Sequence, residues 1–134
     1  MNDQHDNQQQ ERLRTRPVER FVGESHVFDL GAVLRDLRAE GFPPQRGHRQ
    51  MTIFQRKPVT QTLFAFEAGS ELREHRAPGL VTIHVLEGAL SVQADGQDYA
   101  LAAGHVLILR PEVPHNVRAA EASAMLLTVH LDDK

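Results

Sequence analysis

From Met51 onward the chain breaks into short apolar stretches: MTIFQR, TQTLFAFE, LVTIHVLE, ALSVQA, DYALA, HVLILR, HNVRAA and SAMLLTVHL. Each is bounded by Gly, Pro or Asp-Gly punctuation, the pattern of β-strands joined by tight turns rather than of helices. Seven or eight such strands predict an all-β body, either a sandwich or a barrel. The Asp95-Gly96 pair sits between ALSVQA and QDYALA, where it predicts an antiparallel hairpin. LVTIHVL and HVLIL are apolar on both faces, more than a half-solvated sheet tolerates. One face must meet a second sheet; the other predicts a homodimer interface, or cover by an N-terminal helix.

Upstream of the strands the texture is different. DLGAVLRDLRAEGFPP places Leu30, Val33, Leu34 and Leu37 at i, i+3, i+4 and i+7. Asp29 precedes them as N-cap, and Gly41, Pro43 and Pro44 end the run, which predicts one short amphipathic helix. Before it, Gln, Asn, Asp, Glu and Arg offer almost nothing to bury, so residues 1–25 are expected to be a disordered polar tail and residues 26–134 a single domain. Arg12, Arg14, Arg16 and Arg20 alternate with Glu11 and Glu19 and lack aromatic company, so no nucleic-acid partner is expected. The net charge of −3 agrees, and it favours no anionic membrane surface either. No cysteine is present, which removes disulfides, thiolate zinc sites and thiol nucleophiles. MNDQHDNQQQERLRTRP lacks the apolar core of a secretion signal, and no stretch approaches the roughly 20 apolar residues of a membrane span. A cytoplasmic location is the expectation.

Two histidines stand apart from the other six. His75 lies in what reads as a turn ahead of LVTIHVLE, and His115 follows the Pro111 and Pro114 turn ahead of another strand. Their surroundings resemble the cupin superfamily over roughly residues 60 to 131. Its first motif runs Gly, five residues, His, one residue, His, then Glu and a closing Gly; here Gly69, SELRE, His75 and Gly88 fit, with Ala77 at the second His and Val81 at the Glu. Its second motif runs Gly, strand, Pro-x-Gly turn, His, then Asn; here Gly104, HVLIL, Pro111 and His115 fit. Arg110 stands where proline is usual, Glu112 where glycine is usual, and Ala119 where the asparagine would be.

The resemblance implies a double-stranded β-helix, the jelly-roll cupin barrel, with one short N-terminal helix added. It also implies a site of three His and one Glu holding zinc, iron, manganese or nickel, of which this chain keeps His75 and His115. Alanine and valine donate nothing to a metal, and a divalent ion normally needs three or four protein ligands. Replacement donors near in sequence are His48, His84, Glu74 and Glu112, with His48 kept as the third-ligand candidate although periodicity cannot place it. If Val81 points inward like the carboxylate it replaces, Ile83 and Val85 do too, and Thr82, His84 and Leu86 face outward. His5, His26, His105 and His130 read as tail or surface residues. Arg110 and Glu112 read as exposed turn charges, with closure of the barrel mouth as the alternative.

Three functions follow. The chain is a barrel whose pocket, lined by His75 and His115, binds a small molecule with its metal site incomplete; or a metal-dependent enzyme of dioxygenase or isomerase type acting on a small organic acid or sugar; or a structural dimerisation domain. No nucleophile motif, phosphate loop or paired acids at a defined spacing add a further candidate.

Overall fold

The computed structural model describes residues 21–132 apart from Val22, Phe42 and Gln45, so most of the expected polar tail lies outside the described residues. Among the described residues one helix, α1 (Leu30–Arg38), precedes nine strands: β1 (His48–Arg56), β2 (Val59–Phe66), β3 (Glu71–His75), β4 (Gly79–Glu87), β5 (Ala89–Ala94), β6 (Gln97–Ala102), β7 (Val106–Leu109), β8 (His115–Ala119) and β9 (Ser123–Leu131). They form two antiparallel sheets, ordered β1-β2-β9-β4-β7 and β3-β8-β5-β6. Sequential strands repeatedly cross from one sheet to the other, as in a jelly roll. ALSVQA and QDYALA pair as the Asp-Gly turn predicts, from Ala94 opposite Gln97 to Ala89 opposite Ala102.

Alternation decides what each sheet buries. On β4, Val81, Ile83 and Val85 are all but inaccessible, and they meet Phe64, Phe66 and Met125 of their own sheet and Leu90, Val92 and Val117 of the other. Burying a Val, Ile, Leu or Phe side chain is worth about 1.5–3 kcal/mol, so this inter-sheet core dominates stability. A second core lies on the outer side of the five-stranded sheet. There Leu34 and Leu37 of α1 cover Ile53, Leu63, Ala65 and Ala124. Asp29 caps the helix, its carboxylate accepting from the Ala32 N–H at 3.1 Å. Arg38 at the other end reaches Glu87 at 2.9 Å, a half-exposed pair that adds a few tenths of a kcal/mol. The helix therefore covers part of the face that the sequence assigned either to a helix or to a second subunit.

The structure has one strand more than the eight apolar stretches. ELREH forms β3, an edge strand on which Glu71, Arg73 and Glu74 are exposed and only Leu72 and His75 are half-buried. A strand with so little to bury carries no apolar alternation, and so His75 ends a strand rather than occupying a turn. β1 also starts three residues before MTIFQR, at His48.

Two corners depend on backbone conformation. Gly88, between β4 and β5, has φ +77°, and a Cβ there would run into Ser123 and the Ala122 carbonyl. Beneath it the buried Ser123 hydroxyl accepts from the Ala89 N–H at 3.0 Å and lies 2.8 Å from the Glu121 carbonyl. Glu112 has φ +67°, with its N–H donating to the Ala77 carbonyl at 2.8 Å, so a position where cupins usually carry glycine keeps the glycine conformation without the glycine. Chemical denaturation should show Gly88→Ala losing about 2 kcal/mol or more, since both strain and a backbone clash arise. Glu112→Gly should change stability by less than about 1 kcal/mol, whereas Glu112→Val should cost about 1–2 kcal/mol.

Candidate functional site

β3 and β8 pair antiparallel at one edge of the four-stranded sheet, and their register sets His75 directly opposite His115. The two imidazoles meet edge to face, centroids 4.1 Å apart and planes at 61°. Forty residues of chain separate these side chains, so one ladder rung creates the site. His115 is 2 % exposed, while His75 is half-buried.

Both rings are held in the same way. His75 Nδ1 lies 2.8 Å from the carbonyl of Arg73, and His115 Nδ1 lies 3.0 Å from that of Val113. A carbonyl only accepts, so each neutral ring carries its hydrogen on Nδ1 and presents a bare lone pair on Nε2. His115 Nε2 is fully buried and has no hydrogen-bond partner among the described residues. Burial lowers the His115 pKa below its ordinary 6.5; the bond to Val113 raises it by a smaller amount, and the neighbouring His75 lowers it slightly. At neutral pH the ring is therefore uncharged and acts as an acceptor.

The metal that the resemblance implies can be tested against these donors. Val81, 2 % exposed, fills its inward position with methyl groups, and Ala77 packs against the same core. Among the described residues no group of three or more His, Asp or Glu side chains converges on a point. Two imidazoles fall short of the three or four protein ligands that a divalent ion normally takes, so the residues present do not fit a complete site of that kind. His48 is buried inside the barrel, its ring 5.9 Å from that of Phe64 and 5.8 Å from that of Phe66. It belongs to no donor cluster with the pair. His84 faces outward, Glu74 and Glu112 are exposed, and Arg110 is exposed beside Glu112. His26 and His130 are also exposed, and so is His105, whose Nδ1 accepts from the Ala102 N–H at 2.9 Å; His5 lies outside the described residues.

Concavities lie elsewhere as well. One, about 880 Å³, is on the outer side of the four-stranded sheet, floored by Ala89, Ala100, Ala102 and Ala120 and edged by Glu71 and Arg118. It holds neither histidine, and its charged edge is already an exposed ion pair at 3.4 Å. A smaller one, about 500 Å³, is lined by Glu74, Pro114, Ala94, Gln93, Asp95 and Asp98. Glu74 and Pro114 adjoin the two histidines in sequence and Ala94 stands opposite His115 in the ladder, so this surface concavity lies near the pair, although neither histidine lines it.

The sequence profile of the cupin domain matches residues 62–130, more than half of the chain. This protein is a member of the cupin family. Its fold is shared with several solved structures. One is a conserved protein of unknown function from Streptococcus pyogenes, 26 % identical, with TM-score 0.67 over 84 % of this chain and 93 % of that one. A cupin superfamily protein from Desulfitobacterium hafniense is 21 % identical, with TM-score 0.68 over 84 % and 96 %. Salicylate 1,2-dioxygenase from Pseudoaminobacter salicylatoxidans is 19 % identical at TM-score 0.67, and 77 % of this chain covers 32 % of that enzyme. No curated protein matches the chain.

The lowered pKa of His115 has a thermodynamic consequence. Because the unfolded ring binds its proton more tightly than the folded one, acidification favours unfolding between pH 6.5 and the lower folded value. Each unit of depression is worth about 1.4 kcal/mol once pH is below both values. Thermal melts at pH 7.5 and 5.5 should therefore show a larger fall in Tm for the native chain than for His115→Gln. Equal falls would mean that His115 titrates normally.

Proposed function

We propose that this cupin is a binding module for a neutral or cationic small molecule, held through hydrogen-bond donors by the Nε2 atoms of His75 and His115. The observation that carries the reading is the shared tautomer: both Nδ1 hydrogens are occupied by backbone carbonyls, leaving two adjacent acceptors, one of them buried and unpartnered. A buried acceptor without a partner costs about 1–3 kcal/mol, which a ligand hydroxyl or amine recovers on binding. The carboxylates of Glu74, Asp95 and Asp98 around the nearby concavity favour a polyol, sugar or amine over an organic acid.

A metal-dependent reading has one observation in its favour, since a ligating imidazole usually fixes its other ring nitrogen on a carbonyl, as both do here. The two readings separate on metal content. Elemental analysis of untagged protein should give well under one equivalent of zinc, iron, manganese or nickel. A panel of sugars, polyols, amines and organic acids should contain a compound that raises the Tm of the native chain, with a stabilisation of about 2.7 kcal/mol at a hundred times its Kd. His75→Ala and His115→Ala should abolish that rise. A stoichiometric metal lost in both variants would instead establish the metal-dependent reading, and a metal-free protein stabilised by nothing in the panel would leave a structural domain.

A further inference from the structure

Six connections among the described residues cross between the two sheets, and four of them gather at one end: residues 67–70, 88, 103–105 and 120–122. The ladders place them together, with Phe66 opposite Ser123, Glu87 opposite Ala124, and Ala89 opposite Ala102. Links of one to four residues reach little further than the roughly 10 Å between packed sheets. They therefore stack β2 on β3, β9 on β8, β4 on β5 and β7 on β6, and the two strand orders agree with that stacking. At the other end only residues 76–78 and 110–114 cross. His75 immediately precedes the first of these and His115 immediately follows the second, so the pair sits at the less tied end.

Accessibility on the inner face follows the same division. Phe64, Phe66 and Met125, toward the tied end, are buried. Thr60 and Thr62 share their face by alternation, and Thr52 stands opposite Thr62. Leu127 and Val129 pack against the inter-sheet core from that face as well. Yet Thr52, Thr60, Leu127 and Val129 are only half-buried. A side chain that points into a barrel and still meets water borders space that the core does not fill, so the interior is open on the side of the histidines.

Two unlike walls border that space. One is the histidine pair, whose Nε2 atoms only accept hydrogen bonds. The other is β2, stacked on β3, where Thr62 is 8 % exposed and its Oγ1 lies 3.3 Å from Thr52 Oγ1. A threonine hydroxyl both donates and accepts. The inward polar side chains of the two walls, Gln50, Thr52, Thr60, Thr62, His75 and His115, include no acid, lysine or arginine. Glu74, Asp95 and Asp98 belong to the surface concavity that neither histidine lines, so they do not neutralise a cation held between the walls. An ammonium there would be desolvated without a counter-ion, and a carboxylate would face the bare lone pairs of the imidazoles. Hydroxyls meet both walls, donating to Nε2 on one side and exchanging hydrogen bonds with threonine on the other. The carbon skeleton between them packs on Leu127 and Val129.

We infer that Thr60 and Thr62 are specificity-determining residues for an uncharged polyhydroxylated ligand, a sugar or cyclic polyol, held between them and the histidine pair. The inference rests on the binding role proposed above and narrows it, setting amines aside.

A series on one six-membered ring tests it: myo-inositol and methyl glucoside against cyclohexylamine and cyclohexanecarboxylate, each titrated into the full chain while Tm is followed. Only a rise that saturates counts as binding, because polyols at high concentration stabilise any fold through exclusion from its surface. A hydroxylated member should bind at least tenfold more tightly than either charged one. Thr60→Val and Thr62→Val keep the side-chain shape and should each weaken that member about tenfold, with an unchanged far-ultraviolet circular dichroism spectrum. Thr62→Ser restores the hydroxyl and should bind within threefold of the native chain. Binding that is lost in His115→Ala but indifferent to both valine variants overturns the threonine wall and leaves the binding role standing. Tighter binding of cyclohexylamine overturns the ligand class alone. Hydroxylated probes that bind regardless of His75→Ala and His115→Ala overturn the binding role itself, and a chain stabilised saturably by neither hydroxylated probe overturns the inference.

Discussion

The pairing of β3 with β8 is the constraint on which the rest of the site depends. β3 is short, polar and at a sheet edge, so it contributes little to the core. Its position is enforced from both ends. The Gly69 N–H donates to the Ala119 carbonyl at 2.8 Å and the Ala119 N–H to the Ser70 carbonyl at 3.0 Å, while the next rungs oppose Glu71 to Arg118 and Leu72 to Val117. A shift of register between Leu72 and His75 then brings His75 level with His115. Slipping that ladder by a single residue would turn one imidazole out to solvent, because side chains alternate with a period of two. Stability and site geometry are thus separable: the inter-sheet core supplies the first, and a peripheral ladder supplies the second.

The two sheets are unlike on their outer sides. Beyond the four-stranded sheet lie Arg73, Ser91, Gln93, Asn116 and Arg118, accessible to water and needing no cover. Beyond the five-stranded sheet lie Leu63, Ala65, Leu80, Leu126, Val106 and Ile108, which do need it. α1 has nine residues, about 13 Å of helix at 1.5 Å per residue, too short to span a five-stranded sheet at nearly 5 Å per strand together with the lengths of its strands. Partial cover is the geometric outcome of a short helix on a wide sheet. The two sources of cover that the sequence offered as alternatives are compatible for that reason.

Much of this was legible in the chain because it rests on local rules. The helix with its Asp29 cap and the Asp95-Gly96 hairpin follow from period, cap and turn chemistry, while the cupin fold and the inward set Val81, Ile83 and Val85 follow from the resemblance of the two histidine motifs together with strand alternation. β3 was illegible for a physical reason, since a polar edge strand is fixed by its partner's backbone and not by its own side chains. His48 escaped placement because it opens a strand whose bulge lies further on, between Thr52 and Phe54, so alternation could not be carried back to it. The orphaned Nε2 of His115 could not be read at all. It depends on a hydrogen bond from Nδ1 to a carbonyl two residues away, and on a depth of burial that only the assembled barrel defines.

That buried nitrogen also bears on what the loss of metal donors means. A carboxylate at position 81 would be tolerable only beside a cation, because burying an unpaired charge costs several kcal/mol. Valine there is the side chain that a metal-free barrel interior favours, and alanine at 77 follows the same logic. By that logic His115 should also have given way to an apolar residue, since its Nε2 gains nothing from the fold. Instead the chain carries two polar rings side by side, each oriented by its own backbone carbonyl, in a barrel whose core is mostly apolar. Stability alone accounts for the valine and the alanine; it does not account for the histidines. That cost, which falls on the buried Nε2 of His115 beside the half-buried ring of His75, is the observation on which the proposed binding role rests.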